Sequence, residues 1–170
     1  RRFDPANPFA SRCVDEDYNR VWADETLFGP RDSVELRRAR LLRPFVDEAE
    51  LLLDIHSMSE PCRPLMVCGT VDKNAAYARE LGVPAELLVD TGHAAGLRMV
   101  DRGAFGDPAS PRRALLIECG QHWERAAAEV AIDALDIALP RLPRRFSRDF
   151  KDLAALDVSA FGHPPIPLKA

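Results

Sequence analysis

LLLDIH, residues 51–56, decides the fold class: four aliphatic side chains around a single aspartate, ending in a histidine. A run this short and this apolar reads as a strand buried in a sheet. A second run, ALLI at 114–117, ends in Glu118. Residues 64–67 and 87–89 read as two further strands. Residues 72–81 read as a helix closed by Gly82, and 123–139 as a long amphipathic helix stopped by Pro140. Upstream, a helical turn or two covers 17–23. A longer helix starts near Asp32, where Asp32 and Glu35 have capping-box spacing. Leu41, Leu42, Phe45, Val46 and Ala49 form its buried stripe, and Pro44 inside that stripe predicts a kink or an early end. Residues 1–11, with two prolines, read as loop. Strands alternating with helices predict an α/β domain whose sheet is mostly parallel or mixed and flanked by helices.

The 170 residues suffice for one domain with its own core. The net charge of −4 lacks the basic excess of a nucleic-acid surface, so no nucleic-acid partner is expected. No apolar run approaches the roughly 20 residues of a membrane span, and no membrane partner is expected. The opening Arg1-Arg2-Phe3-Asp4 has no apolar signal core. Cys13, Cys62, Cys68 and Cys119 form no C-x-x-C pair and read as reduced thiols, which points to a cytoplasmic protein.

His56 and Glu118 each follow an apolar run, and ligands of open α/β sheets bind at the carboxyl ends of strands. They are candidates for one site. The plainer alternative is a hydrogen-bonded strand-end histidine and a helix-capping carboxylate. The stretch RCVDEDYNR, residues 12–20, supplies two arginines and an asparagine around a turn. Arginine forks suit carboxylates and developing oxyanions. The alternative there is a solvated charged loop.

Taken together, R-x-x-D-x-D-x-N-R at 12–20, D-x-H at 54–56 and I-E-x-G at 117–120 resemble the succinylglutamate desuccinylase/aspartoacylase family, itself similar to the zinc carboxypeptidases. The resemblance spans roughly residues 7–139, and the first motif is the specific one. It implies a zinc-carboxypeptidase-like fold and a zinc-dependent deacylase that hydrolyses the amide of an N-acyl amino acid to a carboxylic acid and an amine. His56 would be a zinc ligand, Glu118 the general base and Arg12 the group that polarises the scissile carbonyl. Asn19 and Arg20 would bind the carboxylate of a small substrate. Asp17 would be the carboxylate that orients the other zinc histidine. A metallo-carboxypeptidase, or a metal-free binding module of the same descent, are the alternatives.

The chain departs from that family in three places. The H-x-x-E metal motif is missing: none of His56, His93, His122 and His163 has a Glu three residues later. The remaining ligands are expected upstream of Arg1. Residues 1–140 would then be a partial catalytic domain, incomplete at both ends. Residues 141–170, rich in proline, would be a linker or the start of a missing β-rich domain. Such a fragment is expected to be nearly inactive and marginally stable alone. Finally, residues 103–113 contain no tyrosine to read the substrate, and Arg112 and Arg113 sit too close to Glu118 for that role. The acyl group and the amino acid stay open, as do roles for His93 and His122. Cys119 reads as a packing residue.

Overall fold

The computed structural model describes residues 4, 6, 7, 10 and 12–138. The chain divides into two compact units, residues 1–132 and 133–170. The expected stop at Pro140 and the segment 141–170 lie outside the described residues, as do residues 1–3 and most of the expected N-terminal loop.

The first unit is an α/β arrangement around a mixed four-stranded sheet. In chain order it runs α1 (Asp24–Leu27), α2 (Val34–Glu48), β1 (Leu51–Met58), β2 (Leu65–Val67), α3 (Asp72–Leu81), β3 (Glu86–Leu88) and β4 (Arg113–Gln121). α4 (Arg125–Ala138) follows and crosses the boundary between the units. The sheet order is β1-β4-β2-β3; β1 pairs parallel to β4 and β2 parallel to β3, while β2 and β4 run antiparallel. β4 is covered on both edges, and Ala114, Leu115, Leu116 and Ile117 are all 3% exposed or less. That explains why this stretch is uniformly apolar and does not alternate. α3 ends where expected, with Gly82 in the left-handed conformation at φ 72°. No helix among the described residues is long and apolar enough to cross a membrane.

α2 differs from the expectation in three ways. Its N-cap is Ser33, whose hydroxyl accepts the Leu36 N–H at 2.9 Å. Asp32 instead pairs with Arg37 and Arg40. Glu35 turns away from the helix end and accepts the backbone N–H groups of Val14, Asp15 and Glu16 at 2.5, 3.1 and 3.4 Å. The buried face is also rotated. Leu36, Ala39 and Val46 are buried, with Leu42 and Ala49 half-buried, whereas Leu41 and Phe45 face outward at 67% and 73% exposure. Leu36 and Ala39 fix a line at helical spacing that excludes 41 and 45. Pro44 neither ends nor breaks the helix, because it is exposed and water can take the carbonyl it leaves unpaired. The turn expected over 17–23 is a single 3-10 turn, Tyr18–Arg20, followed by the separate α1.

Candidate active site

β1 and β4 carry the centre of the site. His56 and Glu118 are register partners in this parallel pair, so their side chains stand next to each other on one face of the sheet. The period of two that places His56 on that face also places Asp54 there, and Asp54 Oδ1 lies 3.0 Å from His56 Nε2. Beyond His56 the register slips, Met58 pairing with Gln121. The turn after β4 is clasped to the end of β1: the His122 N–H donates to the Met58 carbonyl at 2.9 Å, and Gln121 Nε2 donates to the Ser59 carbonyl at 3.1 Å.

The 3-10 turn supplies the other side. Asp17 caps it by accepting the Asn19 N–H at 2.9 Å, and its second oxygen faces Arg20 at 3.7 Å. Arg20 folds back to donate to the Asn19 carbonyl at 2.6 Å. Asn19 is buried, with Oδ1 accepting the Met99 N–H at 2.9 Å, which fixes the amide so that Nδ2 faces His56 Nε2 at 3.4 Å. One ring nitrogen cannot both donate to Asp54 and accept from Asn19. The Asp54 contact is shorter and charge-assisted, so Nε2 is the donor and Nδ1 keeps the lone pair. The loop ahead of Met99 lies flush on the turn: a Cβ on Gly96, whose φ is 153°, would stand 2.2 Å from the Arg20 carbonyl oxygen.

Arg12, Asp17, Asn19, Arg20, His56 and Glu118, all singled out in the sequence, thus line one cavity of about 540 Å³. Arg12 is exposed and has no hydrogen-bond or ion-pair partner among the described residues. The carboxylate of Asp17 is held by its own turn and by Arg20; the one that holds a histidine is Asp54. His93 lines the cavity and His122 does not. Cys119 is buried beside Glu118, and burial with that charge pushes its thiol up to about 11, so it stays protonated.

The electrostatics follow from enclosure. Burial raises the Glu118 carboxyl above its usual range, and Asp54 adds to this against the pull of His56 and Arg12. Burial works against a charge on His56, but the hydrogen bond and charge of Asp54, with Glu118, raise its pKa overall. One oxygen each of Asp54 and Glu118 is buried without a hydrogen-bond partner among the described residues. A buried carboxylate oxygen left so is costly.

Three features went unread in the sequence. D-x-H spacing, through the strand period, was enough to pair Asp54 with His56. Ser57 Oγ lies 2.7 Å from His122 Nδ1, a contact across 65 residues with no sequence signal. Arg98 is held by Asp90 and Asp101, of which only the R-x-x-D spacing to Asp101 was visible.

A catalytic zinc takes three protein ligands. Among the described residues no group of three His, Cys, Asp or Glu side chains is placed to hold one. His56 fits a single ligand position, with Nε2 fixed by a carboxylate and Nδ1 left basic, an arrangement common in metal-bound histidines. No protein-family model matches the chain and neither does any curated protein, so its chemistry has to come from these residues and their geometry.

Proposed function

We propose that the chain carries the catalytic residues of a zinc-dependent amide hydrolase of carboxypeptidase-like fold, cleaving an N-acyl amino acid to a carboxylic acid and an amine. The observation that carries this is the His56–Glu118 pair, side by side on parallel strands in a cavity also lined by Arg12, an arginine unpaired among the described residues. The resemblance of its three motifs to the desuccinylase/aspartoacylase family points the same way. His56 fits one of the metal's ligands; the others come from outside the described residues. Bound zinc would supply Lewis acidity and a water of pKa near ~7.

The chain's own groups do the rest. Glu118, its carboxyl raised above its ordinary range by burial, takes the proton of the attacking water and passes it to the departing amine. Arg12 faces the negative charge that develops on the carbonyl oxygen; with no partner among the described residues, its attraction is reserved for the transition state. Arg20 and the Asn19 amide hold the substrate carboxylate and set the distance of the scissile bond from Glu118.

The test is a panel of N-acyl amino acids assayed with zinc supplied, with a chelator, and with Glu118→Gln. The amide keeps the size of Glu118 and removes the base, so turnover should fall by about 10²–10⁴-fold with metal content unchanged. Near-normal turnover of the variant at unchanged metal content, or hydrolysis undiminished by the chelator, would overturn the proposal.

A further inference from the structure

The charge balance of the cavity and the sheet face beneath it define the class of amide that fits, an inference that rests on the hydrolase reading. The cationic side chains of Lys and Arg lining the cavity among the described residues are Arg12, Arg20 and Arg98. Arg98 is not available to a ligand. Its side chain is 7% exposed, with Nη1 and Nη2 on Asp90 at 2.7 and 2.8 Å and Nε and Nη2 on Asp101 at 2.6 and 3.2 Å. Two carboxylates on one guanidinium leave that wall with excess negative charge. Arg12 faces the scissile carbonyl, and Arg20 with Asn19 accounts for one carboxylate. A second carboxylate would meet Asp90 with no further free Lys or Arg lining the cavity among the described residues.

The remaining surface is apolar. Moving across the sheet from Glu118, the register partner on β2 is Leu65; one step along, Leu116 pairs with Val67 and Val67 with Leu88. These four side chains share the face that carries His56 and Glu118, and all four line the cavity. Leu88 is 47% exposed and Leu65 half-buried, while Val67 and Leu116 beneath them are buried at 6% and 3%, so the open part of this shelf is Leu65 and Leu88. Apolar surface left open beside a polar pair is suited to burial by a ligand.

We infer that the site selects monocarboxylate amides with one apolar substituent resting on the Leu65–Leu88 shelf, and discriminates against substrates with a second carboxylate. The substituent can belong to the amino acid or to the acyl group, and the test separates the two. Binding of N-acetylleucine and N-hexanoylglycine is compared by calorimetry with that of N-acetylaspartate and N-succinylglycine, with zinc supplied. The better apolar ligand should bind tenfold or more tightly than its dianionic counterpart, as expected for a leucine-sized group leaving water. Which apolar ligand wins identifies the half of the substrate on the shelf. Leu88→Arg, at a position 47% exposed, should reduce the preference about tenfold by supplying the missing cation. Equal or tighter binding of the dianionic ligands, or an unchanged preference in Leu88→Arg, overturns the inference while leaving the hydrolase reading intact. Failure of all four ligands to bind overturns both.

Discussion

Arg12 and Arg98 line the same cavity, one with its guanidinium unpartnered among the described residues and the other gripped by two carboxylates. Arg12 is exposed and sits in the segment that leads to Asn19 and Arg20. Arg98 is 6% exposed and sits in the loop that supplies the Met99 N–H to Asn19. A few residues on, Arg102 repeats the second pattern, bridging Asp24 and Asp47 and donating to the Trp22 carbonyl. The difference separates two uses of one residue type. A buried, fully paired arginine holds segments together. An open, unpaired one leaves its charge for a partner outside the fold.

The sharpest way to break this comparison is Arg98→Ala. It would leave Asp90 and Asp101 without their cation and release the loop that carries Met99. Stability should fall by about 3 kcal/mol, measured by urea unfolding, toward the range for breaking a buried ion pair. A loss within about 0.5 kcal/mol, as at an ordinary surface site, would show that the clamp is not structural. Arg12→Ala should do the reverse. Unfolding should be almost unchanged, while turnover of an N-acyl amino acid drops by about 10²–10³-fold at similar KM, because its charge is needed only as the oxyanion forms. Arg20→Ala should instead raise KM, and only for substrates with a free carboxylate. If both variants affect a carboxamide analogue equally, the division between them fails.

The smallest expected effect tests how the Arg12–Arg20 segment is held. Burial pushes the Glu35 carboxyl up, but the N–H groups of Val14, Asp15 and Glu16 outweigh it and leave the pKa depressed. With the folded value below the unfolded one, the stabilisation is fully present above the ordinary carboxylate range. It is lost as pH falls through the depressed pKa. Glu35→Gln should therefore cost about 1–2 kcal/mol near neutrality, the scale of charge-assisted hydrogen bonds. The gap from the unmodified protein should narrow in acid. Unfolding curves at about pH 7 and about pH 3 check this, and a gap of the same size at both would rule out the charge as its source.

Much of the architecture was legible because its signals are local. The runs at 51–55 and 114–117 are both strands, but only the second is buried as expected: β1 ends the sheet order, is at most half-buried, and leaves Ile55 40% exposed. Gly82 closes α3 since the left-handed position favours glycine. What failed was set by partners distant in sequence. Leu41 and Phe45 match the helical period as well as Leu42 and Val46 do; only the contacts of Leu36 and Ala39 with the rest of the core choose between them. Glu35 has capping-box spacing, but three N–H groups some 20 residues upstream claim its carboxylate. In the cavity, residue types and motif order were enough to pick out six lining residues. The Ser57–His122 contact and the Asp90–Arg98–Asp101 clamp depend on loops whose course no periodicity encodes.

The contact between Gly96 and the Arg20 carbonyl oxygen gives the cavity a gauge. Glycine's hydrogen is the only spacer the gap admits, so the loop and the turn close to a fixed stop. A methyl group at 96 would meet that oxygen at 2.2 Å and has to part the two segments by about an ångström to reach ordinary van der Waals separation. Displacements of that size at a reacting centre are worth about 10²-fold in rate. The placement of the arginine is therefore written partly in a residue with no side chain, in another segment of the chain, and any sequence drift that enlarges position 96 would retune the cavity without altering one of its charged groups.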